Sequence, residues 1–271
     1  MRYDSKAHQF TPFLAAISAE YVAFSKDAQW VAYVMYPEGT LWRSKVDGSE
    51  RLQLTDPPVY PMLPRWSPDG KKILFFEFER GSKPSRIYEI STDGGTPHEL
   101  IPNDPNHQVD PNWSPDGTKV VFAGNPSQSA SEIKVFDVAS GKISTLPGSQ
   151  GMFSPRWSPD GRYISALSAD SSRLILFDTQ AGTWKELAQG SFGWLNWSHD
   201  GQSIYFLDQS GKGTVLKIRI GDHNSEKVVA LDDFKTTGRY SGSLSLMPDD
   251  SPLLLREGGT QDVYALDWEK P

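Results

Sequence analysis

His107 stands between Asp104 and Asp110 in a proline- and asparagine-rich stretch, and a histidine with carboxylate neighbours is what general base chemistry would use. The other histidines are His8, His98, His199 and His223, and only His107 falls in a long connection between predicted strands. A catalytic triad needs nucleophile, base and orienting acid in contact, and histidines scattered over different units give no local sign of one. The chain contains no His-Glu-x-x-His, Gly-x-Ser-x-Gly or phosphate-loop pattern. With no cysteine there is no thiol nucleophile, thiolate zinc site or disulfide framework. A hydrolase or lyase built on His107 therefore stands as the rival to a chain that binds and does not catalyse.

Residue types suited to binding are better represented. The long connections carry Tyr60, His107, Asp110, Phe153, Trp194 and Tyr240, while Arg65, Asn112, Arg156 and Asn196 each directly precede a tryptophan. Large aromatics with arginine are the makeup of protein-binding hot spots. These ten residues are the candidate binding face. The competing structural reading has the aromatics capping the core and the four polar residues pairing with backbone. Asp56, Asp104, Asp110, Asp232 and Asp233 offer oxygen ligands for calcium in the channel, but no spacing among them specifies a loop site, and no cofactor is expected. The sequons at Asn112 and Asn196 arise because a serine follows each motif tryptophan, and both lie in predicted inner strands.

The elements that must position these residues are repeats. Trp-Ser-Pro-Asp-Gly occurs at 66–70, 113–117 and 157–161, with degenerate copies at 24–28, 197–201 and 246–250. A period of this length is that of a propeller blade. The third copy shows the internal order: a strand ending in Trp157, the turn, then Tyr163 to Leu167, Leu174 to Phe177 and Trp184 to Leu187 as three further strands. Proline fixes φ at the second turn position, aspartate bonds nearby backbone and glycine accepts the exit geometry, so each motif is a hairpin connection. Runs such as Ile73-Leu74-Phe75-Phe76 and Val120-Val121-Phe122-Ala123 are apolar at consecutive positions, which requires burial of both strand faces. The fold class predicted is all-β: six four-stranded antiparallel blades in one domain over residues 1–271. Trp66, Trp113, Trp157 and Trp197 are expected to be buried between blades and outside any site. In the last unit three strands are expected, at 243–246, 252–256 and 262–268, with residues 9–14 docking as the fourth to close the ring. Arg2-Tyr3-Asp4 resembles the end of a third strand, as in Val135-Phe136-Asp137, which suggests a segment cut from a longer protein.

The chain carries 27 basic and 34 acidic residues, net charge −7, with no basic run, so a nucleic-acid surface is not expected. No apolar stretch approaches membrane-spanning length and the N-terminus has no signal-peptide pattern, so the chain is expected to be soluble; a monomer is expected as well. The Ser-Pro-Asp-Gly turns occupy one face; the connections at 55–63, 102–110, 147–154, 189–193, 231–242 and 124–131 are longer, more varied, and gather on the other. Variable loops on a rigid scaffold are where binding concentrates.

The repeat Pro-x-Trp-Ser-Pro-Asp-Gly, followed by an apolar strand and a Leu-Phe-Asp strand, resembles the TolB-type β-propeller repeat over nearly the whole chain. That resemblance implies a six-bladed ring, protein partners and a periplasmic location, and it extends to the propellers of prolyl-oligopeptidase relatives, where the ring gates a partner domain. Segments 17–20, 37–43, 151–157 and 259–268 are similar to the C-terminal propeller of bacterial membrane-anchored proteins with a cytoplasmic winged helix, which implies an extracytoplasmic sensory role. The function expected is recognition of a protein, peptide or glycan at the channel mouth.

Overall fold

A computed structural model describes residues 1–14, 17–77, 83–124, 131–237 and 242–258, and among these residues there are strands and turns but no helix. The strands form six four-stranded antiparallel sheets. Blade 1 is Ala19–Phe24, Trp30–Met35, Thr40–Lys45 and Leu52–Gln53; blade 2 is Pro61–Trp66, Lys72–Glu77, Arg86–Ser91 and His98–Glu99. Blade 3 is Val109–Trp113, Lys119–Ala123, Ile133–Asp137 and Ile143–Thr145, and blade 4 is Met152–Trp157, Tyr163–Ser168, Arg173–Asp178 and Thr183–Gln189. Blade 5 is Phe192–Trp197, Ser203–Asp208, Thr214–Arg219 and Ser225–Ala230. The first strands contact one another in sequence around a ring, and Leu244–Leu246 completes it by touching both Phe192–Trp197 and Ala19–Phe24.

The second strands explain the consecutive apolar runs. Ile73, Leu74 and Phe75 are fully buried, as are Val120, Val121, Phe122 and Ala123, because each blade is covered on both faces by its neighbours. Outermost strands are mostly wet, as in Thr183–Gln189, where only Leu187 is buried.

The sixth sheet departs from expectation. Its order is Gln9–Thr11, Arg2–Asp4, Pro252–Leu254, Leu244–Leu246. The third place, expected for 262–268, belongs to Arg2–Asp4; residues 262–268, like the last part of the expected 9–14 strand, lie outside the described residues or outside the strand. The reason was visible in the residues themselves, since Arg2-Tyr3-Asp4 carries the third-strand pattern. Tyr3 is buried among Leu207, Val215, Leu244 and Leu254, and the Phe10 ring packs tilted against Phe234, centroids 4.3 Å apart. The Met1 ammonium donates to the Leu254 carbonyl at 2.8 Å, and the Leu254 amide donates to the Met1 carbonyl at 3.0 Å.

Candidate functional site

Each Ser-Pro-Asp-Gly turn is a self-contained hydrogen-bond unit. In the first, Ser67 Oγ donates to Asp69 Oδ1 at 2.6 Å, the Lys71 amide donates to the same oxygen at 3.1 Å, and the Lys72 amide donates to Ser67 Oγ at 2.9 Å. Copies at Ser25/Asp27, Ser114/Asp116, Ser158/Asp160 and Ser198/Asp200 repeat the serine–aspartate bond at 2.6 Å. Glycine serves at φ 72° in Gly70, and the degenerate first and last copies put Ala28 and Asp250 there at 58° and 62°. Hydrogen bonds from the serine hydroxyls hold Asp27, Asp69, Asp116, Asp160 and Asp200 below the ordinary value of 3.8. The Ser168 hydroxyl does the same to Asp170, lowered to about 2. A folded-state pKa below the unfolded one contributes stability that is present above the unfolded pKa and lost as pH falls through the folded one. Urea midpoints are therefore expected to fall as pH drops from about 4 towards about 2. A flat profile across that window would contradict the turn bonding.

The inner strands carry a second repeated feature, which sequence reasoning missed. Three residues before the motif aromatic, Tyr21, Leu63, Asp110, Ser154 and Trp194 all adopt left-handed backbone, with φ of 54°, 48°, 55°, 54° and 57°. At each the register against the second strand slips, as between Val109 and Asn112 or Phe153 and Arg156. These are β-bulges, and a bulge re-aims side chains at a cost. Left-handed backbone costs a non-glycine residue about 1–2 kcal/mol. Counting back from the motif would have found the position, but nothing in residues as different as Leu63 and Ser154 marks it. Across the ring, Tyr21 and Trp194 stack at 5.9 Å and 29°, and half-buried Leu63 and Phe153 pack against the same core.

Below this apolar group lies a charged one. Asp110 and Arg156 are 8% and 5% exposed. Arg156 Nη1 sits 2.7 Å from Asp110 Oδ1, an ion pair off the hydrogen-bond line, while Nη1 also donates to the Pro155 carbonyl at 2.8 Å. Ser154 Oγ donates to Asp110 Oδ2 at 2.9 Å. Arg65 shares the layer with a weaker set of contacts: its Nη1 reaches the Pro64 carbonyl at 3.4 Å, and no carboxylate pairs with it among the described residues. Burial, and then the like charge of Arg156, lower its pKa to about 9, with Asp110 opposing; it stays cationic at neutral pH.

Four candidates, Arg65, Asn112, Arg156 and Asn196, line a cavity of about 370 Å³ that opens among the Ser-Pro-Asp-Gly turns, not among the long connections. Asn112 and Asn196 take the structural role weighed for them. Asn112 Oδ1 accepts from the Trp157 amide at 2.8 Å, and Asn196 Nδ2 donates to the Leu244 carbonyl at 3.0 Å, each stitching one blade to the next. The motif tryptophans differ from expectation: Trp113 and Trp197 are buried, Trp66 and Trp157 keep an accessible edge, and all four wall this cavity. The inner strand ends at the mouth, so its last side chain faces both neighbour and opening. Trp66 Nε1 donates to the Ala23 carbonyl and Trp197 Nε1 to the Arg156 carbonyl, both at 3.0 Å.

On the long-connection side, Phe153 and Trp194 are half-buried and Tyr60 packs its ring against the backbone of Gly39, where an added Cβ would stand 2.9 Å from it. Tyr240 lies outside the described residues. His107 Nδ1 accepts from the Ser85 amide at 3.1 Å. Asp104 bonds to Asn106 instead of turning to the histidine. Among the described residues no three His, Asp or Glu side chains come together as a metal would require.

Residues 17–191 match the TolB beta propeller domain model. The chain is similar to the Tol-Pal system protein TolB of Wigglesworthia glossinidia brevipalpis, 34% identical over 67 residues, which is 23% of this chain and 16% of that protein. It is also similar to the peptidase YuxL, named as uncharacterized, of Bacillus subtilis (strain 168), 30% identical over 95 residues, 33% of this chain and 14% of that one. The matches thus span under a fifth of these relatives. Among solved structures, a TolB candidate from Agrobacterium tumefaciens superposes with TM-score 0.70 at 20% identity over 88% of this chain and 89% of its own. TolB from Acinetobacter baumannii gives 0.65 at 21% over 86% and 55%, and a chain of a nidogen/laminin complex gives 0.63 at 14% over 78% and 80%. With its motif turns, six-sheet ring and model match in agreement, this chain belongs to the TolB β-propeller domain family.

Proposed function

We propose that this chain is a non-catalytic binding propeller that holds a protein or peptide partner on its long-connection face, as a monomer outside the cytoplasm. The observation that carries the reading is the pair Phe153 and Trp194, half-buried on bulged inner strands beside the stacked Tyr21. Rigid aromatics with one accessible side supply contact area at little entropic cost. The relative named for the Tol-Pal system and the fold shared with a member of a nidogen/laminin complex support a protein as the partner. The groups an enzyme would need are engaged elsewhere, His107 Nδ1 by the Ser85 amide and Asp110 by Arg156 and Ser154.

The test is calorimetry with a partner isolated on the immobilised chain and then purified. Changing Phe153 and Trp194 together to alanine is expected to weaken binding about 100-fold or more, as loss of two hot-spot aromatics does. Lys26→Ala and His199→Ala, on the turn face, should leave it unchanged. The reverse pattern, or peptide or glycan turnover by the purified chain that His107→Ala abolishes, would overturn the reading.

A further inference from the structure

The cavity at the Ser-Pro-Asp-Gly mouth is not explained by a partner docked on the opposite face. Its walls contain three cationic side chains, Arg65 and Arg156 at depth and Lys26 at the rim, with the His199 imidazole beside them and no carboxylate, in a chain whose net charge is −7. The carboxylates of this face are engaged outside the walls: the turn aspartates accept from their own serines, and Asp250 accepts from His199 at 2.7 Å. Behind the cavity one carboxylate, Asp110, faces two guanidinium groups and pairs with only one of them.

Three of the residues in these walls also carry a donor with no protein partner. Arg65 Nε, Arg156 Nε and Trp113 Nε1 are all buried and unbonded within the protein, whereas the equivalent indole nitrogens of Trp66 and Trp197 donate to carbonyls of the preceding blade. Buried N–H groups left without acceptors are costly, and cations left without counter-charge more so. Above them the walls turn apolar, with the tryptophan edges and Pro68, Pro115 and Pro159. At about 370 Å³ the volume is that of a small-molecule site.

We propose that this mouth is a binding site for a small organic anion, its carboxylate or phosphate head on the guanidinium groups of Arg65 and Arg156 and its apolar body between the tryptophans and prolines. A guanidinium fork suits either head, and the aromatic walls select an anion with a flat or aliphatic body over a bare inorganic ion. The site is independent of the protein-docking reading, which concerns the other mouth.

Isothermal titration of the purified chain at low salt with benzoate, phenyl phosphate, benzamide and inorganic phosphate tests this. Benzoate or phenyl phosphate should bind, whichever is tighter naming the head group, and benzamide should be weaker by about tenfold or more, the worth of charge-assisted hydrogen bonds. Arg65→Gln, whose loss removes an unpaired cation and no ion pair, should abolish that preference with the circular dichroism spectrum unchanged, and Arg65→Lys should restore part of it. Lys212→Gln, on an exposed loop away from the mouth, should have no effect. If neither organic anion binds at millimolar concentration, if benzamide matches benzoate, or if Arg65→Gln binds like the parent, the proposal fails.

Discussion

Removal of residues 1–14 is expected to lower the melting temperature by roughly 10–20 °C, given about 2–4 °C per kcal/mol for a chain of this size. The segment supplies both outer strands of the sixth sheet, so its loss leaves Leu244–Leu246 and Pro252–Leu254 as a bare pair with an open edge. It also withdraws Tyr3 and Leu14, each about 5–6% exposed, and the Phe10 ring on Phe234. Burying such side chains contributes about 1.5–3 kcal/mol each, so the loss is about 5 kcal/mol before the exposed edge is considered. Scanning calorimetry of the full and shortened chains measures it. A drop under about 5 °C would show that the sixth blade does not depend on these strands.

The second large effect is expected at Asp110. Asparagine tolerates the left-handed backbone at this position, so Asp110→Asn changes the charge and little else. It leaves Arg156 buried with no counter-ion, next to Arg65, and breaking one partner of a buried pair costs about 3–5 kcal/mol. Removing both charges with Asp110→Asn and Arg156→Met together should recover most of that loss, since a buried pair replaced by apolar volume is often neutral. Urea denaturation of the two variants checks the order. A single-variant loss under about 1 kcal/mol would mean that the pair is solvated through the channel.

The sequence made the architecture legible because turn chemistry and double-sided burial leave local signatures. Gly70 and Asp69 announce a hairpin without reference to anything distant, and Ile73 to Phe76 can only be a strand covered on both faces. The sixth blade was harder, since its strands come from opposite ends of the chain and only Arg2-Tyr3-Asp4, read against the third-strand pattern, tells which end supplies the third place. The site was legible in its residue types but not in its division. Arg65, Arg156 and the two asparagines look alike in register, yet one asparagine accepts from the next blade, the other donates to it, and the arginines face the channel. The bulge at Tyr21, Leu63, Asp110, Ser154 and Trp194 left no composition signal, because the same left-handed backbone is held by an aromatic, an aliphatic, an acid and a serine alike. Uniformity of the turn backbone, for its part, carries no information about the side chains that converge beneath it.

Docking of a protein on the long-connection face is read by hydrogen exchange of the chain with and without its isolated partner, which reports both mouths in one experiment. Slowed exchange is expected at residues 55–63, 102–110, 147–154 and 189–193, with the turns at 66–70, 113–117 and 157–161 unchanged. Protection confined to those turns, with the long connections exchanging as in the free chain, would contradict it.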